Sequence, residues 1–74
     1  MEQILEILEG VRPDLDFDIE NTLVDDGILD SFDIITIVGE LNETFGIEID
    51  VVDLLPENFN SAEAIYDLVK KLKD

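Results

Sequence analysis

Apolar residues return at helical intervals in three parts of the chain and alternate with acids in a fourth. Near the start, Ile4, Leu5, Leu8 and Val11, with Ile7 beside them, recur while Glu2, Glu6 and Glu9 fall between them, which predicts an amphipathic helix over roughly residues 2–11. Gly10 weakens its end, and Pro13 disfavours helical geometry at Arg12, so the chain leaves the helix there. The longest periodic run is Ile34, Ile37, Val38, Leu41 and Phe45. With Asp33, Thr36, Glu40 and Glu43 on the other side, it predicts a second helix from Ser31 to Phe45, closed by Gly46 in the C-terminal cap position. Ile65, Leu68, Val69 and Leu72 mark a final helix with Asn60 as its N-cap, Glu63 three residues on and Ser61 in its first turn. Lys70, Lys71 and Lys73 finish that helix, where cations complement its dipole. Between these helices Asp50 and Asp53 can cap a single turn near residues 51–55, and Pro56-Glu57-Asn58 reads as the turn after it, so the third helix is short.

In the long first connection Asp14, Asp16 and Asp18 alternate with Leu15, Phe17 and Ile19, a period of two that suits a half-buried strand. No second such run stands nearby to pair with it, so the segment is expected to be an extended loop whose apolar side chains lie over the helices. The alternation imitates the opening of a calcium loop, with Asp25 eleven positions after Asp14. That loop needs glycine at its sixth position, where this chain has Ile19, and the position usually apolar is Asn21. No metal site is expected.

The stretch from Asp25 to Phe32 carries the candidate chemistry. Asp26-Gly27 is a turn dipeptide, because glycine accepts positive φ without steric cost, and Ile28 and Leu29 can pin the turn onto a core. Asp30 has the short carboxylate of an N-cap, and Asp33 three residues on completes an acidic variant of the capping box. Ser31 then stands in the first turn with a hydroxyl not needed for capping. It lies at the positive end of the helix dipole, where a phosphate or phosphodiester is favourably placed. These residue types point to a serine that carries a modification. Phe32, Ile35 and Gly39 run along the flank of the apolar stripe, beginning beside Ser31. They either widen the core or form an exposed docking strip bordered by carboxylates.

Charge and residue inventory narrow the classes. Seventy-four residues make one domain, close to the size at which a single core is only marginally stabilising. The 46 % hydrophobic content still supports a packed core. Twenty acidic residues against four basic ones give a net charge of −16, which repels nucleic acid and anionic membranes and favours partners with basic docking surfaces. Without Cys or His the chain has no disulfide, thiolate nucleophile, imidazole base or ordinary zinc site. Met1-Glu2-Gln3-Ile4 lacks a basic n-region and no apolar run approaches membrane-spanning length. The expectation is a cytoplasmic monomer, not inserted in a membrane and not bound to nucleic acid.

Asp30-Ser31-Phe32, preceded by Gly27-Ile28-Leu29 and followed by an amphipathic helix, resembles the Asp-Ser-Leu box of acyl carrier proteins. The resemblance extends through Phe45-Gly46-Ile47-Glu48-Ile49 to Asn58-Phe59-Asn60-Ser61 and the last helix, and so spans nearly the whole chain. It implies an all-α fold, a small four-helix bundle with a long first loop and a short third helix. It also implies a 4′-phosphopantetheine arm attached covalently to Ser31 by a phosphopantetheinyl transferase. Cargo would be held on the terminal thiol of the arm as a thioester, loaded by an adenylate-forming ligase or an acyltransferase, and the carrier itself would catalyse nothing. Family partners recognise the second helix, where the matching positions are Asp30, Phe32, Asp33, Ile35 and Glu43; Gly39 stands where carriers often have a larger apolar residue, and Ser61 takes a structural place. Phe32 departs from the commoner leucine, and the Asp-Ser-Phe form is similar to that of D-alanyl carrier proteins, which points to a small acid or amino acid as cargo. Two other readings stay open on the residues alone. One is an unmodified acidic interaction module in which Ser31 merely begins a helix. The other is a small hydrolase using Ser31, for which only a carboxylate or lysine could serve as base.

Overall fold

Ile4 and Leu8 of one helix, Ile37 and Leu41 of a second, and Ile65, Leu68 and Val69 of a third are among the helical side chains that leave water when this chain folds. Each is worth about 1.5–3 kcal/mol on full burial. Their spacing is why these segments are helical, since only a 3.6-residue period turns each set toward one shared core. The computed structural model describes residues 1–73. In chain order the elements are α1 (Glu2–Val11), α2 (Ser31–Phe45), a 3-10 turn (Val51–Asp53), α3 (Pro56–Phe59) and α4 (Ala62–Lys73). The fold is a small all-α bundle in which α1 lies against α2 and α4, α2 also touches α4, and α3 leans on α4. None of the described helices is long and apolar enough to cross a membrane.

The first connection is a succession of turns and not an extended run. Leu15 N–H donates to Arg12 O, Glu20 N–H to Asp16 O and Asp26 N–H to Thr22 O. The Asp16 side chain accepts from Asp18 N–H at 3.2 Å. These local bonds cancel the alternation that an extended backbone would keep, so Phe17 enters the core while Ile19 is 73 % exposed. Leu23 and Leu29 of the same connection are buried. The loop thus contributes three core side chains from a segment with no regular structure.

At its far end α2 stops on Gly46, which has φ 64° and sends its N–H to Asn42 O. Asn42 also accepts Ile49 N–H on its side-chain oxygen, so one residue, through its backbone carbonyl and its side-chain amide, holds both the end of the helix and the chain beyond it. The short helix falls later than the acid spacing suggested. Asp50 and Asp53 do form a reciprocal cap, but on a 3-10 turn, and Pro56-Glu57-Asn58 is itself the first turn of α3. Proline fits the first helical position because its missing N–H has no helical partner to lose, and burial of Phe59 rewards the helical turn. The cap of α4 is Ser61 and not Asn60: Ser61 Oγ accepts from Ala64 N–H at 3.0 Å, and Asn60 turns elsewhere.

Candidate functional site

The backbone ahead of α2 is closed by hydrogen bonds before the helix begins. Asp26 is followed by Gly27 at φ 70°, a conformation that glycine accepts and side chains resist, and Gly27 N–H returns to Val24 O. Leu29 N–H then donates to Leu23 O at 2.8 Å, drawing both leucines into the core and delivering Asp30 to the head of α2. Asp30 is extended there, at φ −96° and ψ −178°. Its Oδ1 accepts Asp33 N–H at 2.9 Å, while Asp33 Oδ2 accepts Asp30 N–H at 3.4 Å. This is the acidic capping box, worth about 1 kcal/mol at such a helix start.

Ser31 is the first residue of α2 and is exposed. Its hydroxyl enters no hydrogen bond among the described residues, because Asp30 supplies the cap. The site therefore presents a free alcohol on the positive end of a fifteen-residue helix. Phe32 is 82 % exposed and Ile35 67 %, so neither widens the core. Gly39 has open space about it. Asp30 and Glu43 are exposed as well. Phe32 and Glu43 lie about three turns apart on one helical line, with Ile35 and Gly39 between them.

Asp33 differs from its neighbours. It is half-buried, and its Oδ2 takes Arg12 Nη1 at 2.6 Å. The same Nη1 donates to Ile28 O at 3.1 Å, and Arg12 meets Asp14 through both Nε and Nη2. The Asp14 bonds, then the Asp33 bond, push the guanidinium further into its charged form. The bonds from Arg12, helped by a backbone donor, hold the Asp14 carboxyl below the usual carboxylate range. Arg12 thus ties the end of α1, the turn and the start of α2 together.

Asp30, Ser31, Phe32, Asp33 and Ile35 therefore come together on the opening turns of α2, with Glu43 farther along. Among the described residues no group of three or more His, Cys, Asp or Glu is placed to hold a metal ion. Sequence reasoning missed Arg12, Asn42, Asn58, whose Nδ2 donates to Asp53 O at 2.8 Å, and Asn60 as the side chains that hold the loops. The available signal for Arg12 was that it is the sole arginine among twenty carboxylates. For the asparagines it was their place at element ends, where a short amide can bond to backbone.

Comparison with known proteins agrees with this geometry. The family model described as a phosphopantetheine attachment site matches residues 2–69. The chain belongs to that family: it is a carrier protein that bears covalent 4′-phosphopantetheine for an acyl or aminoacyl group. Among the curated relatives it is similar to the D-alanyl carrier protein of Lactococcus lactis subsp. lactis, 37 % identical over 79 residues that cover 99 % of this chain and 95 % of the relative. It is also similar to the D-alanyl carrier protein of Lactobacillus delbrueckii subsp. bulgaricus, 32 % identical over 73 residues that cover 97 % of this chain and 91 % of the relative. No solved structure matches.

Proposed function

We propose that Ser31 is the attachment point of the arm, and that the exposed flank of α2 beside it is where partner enzymes dock. The observation that carries this reading is a serine hydroxyl left exposed at the N-terminus of α2 because the neighbouring Asp30 does the capping. Ser31 Oγ would attack the phosphorus next to pantetheine in coenzyme A. One P–O bond forms, the pyrophosphate linkage breaks, adenosine 3′,5′-bisphosphate leaves, and the hydroxyl proton passes to a base on the phosphopantetheinyl transferase. The chain itself has no imidazole to act as that base. The chain supplies the nucleophile, its placement, and a helix end that favours the new phosphodiester by about 0.3–1 kcal/mol. When bound, the arm supplies a thiol on which cargo rides as a thioester.

Phe32 and Ile35 offer apolar contact next to Ser31, with Asp30, Asp33 and Glu43 as acidic neighbours, and the net charge of −16 steers the carrier toward basic docking surfaces. The protein itself performs no catalysis in this reading. Its partners are the transferase and an adenylate-forming ligase or acyltransferase that loads the cargo. The names of its relatives and the Asp-Ser-Phe box support a small aminoacyl cargo, D-alanyl first.

The test is intact-mass analysis after exposure to coenzyme A and a phosphopantetheinyl transferase. Ser31→Ala is expected to stay unmodified while keeping its helical content, and Ser61→Ala to take the arm as the wild type does. An arm on Ser31→Ala contradicts the assignment, as does a folded Ser61→Ala that takes none.

A further inference from the structure

One residue far from Ser31 in sequence holds the segment that leads to it. Asn60 stands between α3 and α4, anchored by the buried Phe59 before it and the buried Ala62 after it. Its backbone oxygen accepts Leu23 N–H at 2.9 Å. Its side-chain oxygen accepts both Val24 N–H and Asp25 N–H, each at 3.0 Å, and its Nδ2 donates to Asp25 Oδ2 at 3.1 Å. Three consecutive backbone donors and one carboxylate thus converge on a single asparagine. The amide orientation follows from chemistry, since only the oxygen can face two N–H groups and only the nitrogen can face the carboxylate. From Leu23 the path continues, because its carbonyl accepts Leu29 N–H, and Leu29 immediately precedes the cap Asp30 and then Ser31.

We infer that Asn60 is a positioning residue for arm attachment: it transmits the fixed place of the α3–α4 junction to the turn that presents the Ser31 hydroxyl. This rests on Ser31 being the attachment point. Asn60 touches neither the reacting atoms nor the exposed flank of α2, so its loss should reduce the fraction of productive encounters without weakening docking. Misplacing a nucleophile lowers turnover steeply, whereas an intact docking face keeps affinity.

The experiment uses a charge swap. Asn60→Asp sets a carboxylate against Asp25, whereas Asn60→Asp combined with Asp25→Asn restores every donor and acceptor with the polarity reversed and returns the net charge to that of the wild type. Rates of modification by coenzyme A and a phosphopantetheinyl transferase are measured well below each protein's melting midpoint, with helical content checked by circular dichroism. Asn60→Asp is expected to lower kcat about tenfold with KM for the carrier within about threefold, and the double variant to recover to within about threefold of the wild type. Each kcat is taken per folded molecule. A kcat for Asn60→Asp within twofold of the wild type, a fall carried by KM alone, or a double variant no faster than Asn60→Asp overturns the proposal. A wild-type protein that takes its arm at a residue other than Ser31 removes the premise, and the proposal falls with it; the site of modification in the wild type separates that failure from the others.

Discussion

Phe32 was the residue on which sequence and structure had most to decide, because a flank position beside an apolar stripe reads equally as core or as surface. At 82 % exposure it has little burial to lose, so Phe32→Ala is expected to change stability by no more than about 0.5 kcal/mol. It should instead raise KM for the transferase or the loading enzyme. Denaturant melts and steady-state kinetics check both halves; a loss of about 3–5 kcal/mol, typical of a buried aromatic, would return Phe32 to the core. Arg12 gives the second residue-scale expectation. Asp14 titrates below its ordinary value in the fold, so the Arg12 pairing is present at neutral pH and is lost as pH falls through that lowered value. The raised Arg12 contributes at all pH below its unfolded value, so only the acid limb is accessible. The gap in melting midpoint between wild type and Arg12→Gln should be widest near pH 7 and narrow below about pH 4. An equal gap at pH 7 and pH 3 contradicts it. Asp30 and Ser31 could be read from the sequence because a cap is decided by residues three apart. Arg12 and Asn60 could not, because apart from Asp14 their partners stand 16 to 37 residues away.

Among the elements, the amphipathic helices were legible to the residue at α1, where the apolar period and Pro13 set the bounds, and at α2, where apolar period, cap and glycine stop all agree. The region from Asp50 to Ser61 was not. Its short turns carry too few periodic positions to declare themselves, and caps and proline signals overlap there. The loop from Arg12 to Asp30 misled for a related reason: alternation of acid and apolar residues imitates a strand, yet local turns decide which side chains go inward. Two glycines of α2 then make opposite expectations. Gly39 is a helix-interior residue with nothing within 4 Å of an added Cβ, so Gly39→Ala should stabilise by about 0.5–1 kcal/mol. Gly46 is at φ 64°, so Gly46→Ala should destabilise by about 1 kcal/mol. Urea melts of the two variants decide, and shifts of the same sign would show that α2 is not the element described.

For the molecule as a whole, charge dominates. Twenty carboxylates face four cations, three of them gathered as Lys70, Lys71 and Lys73 at the end of α4, where Lys73 lies 5.4 Å from the ring centre of Phe45. Screening should relieve more repulsion than it removes attraction, since the ion pairs of Arg12 are few beside an excess of sixteen negative charges. The melting midpoint is therefore expected to rise with added NaCl or Mg²⁺, and a flat or falling midpoint contradicts that. In the proposed function the same charge suits a body that is handed between basic partners, one to attach the arm and another to load it. The proposed attachment rests on one oxygen atom, Ser31 Oγ, and the most direct test is to find where the arm sits on the wild-type protein. After reaction with coenzyme A and a phosphopantetheinyl transferase, cleavage by a glutamate-specific protease separates residues 21–40, which contain Ser31, from residues 58–63, which contain Ser61. The expected result is one phosphopantetheine on the 21–40 fragment and none on 58–63; an arm on 58–63, or on neither, contradicts the account.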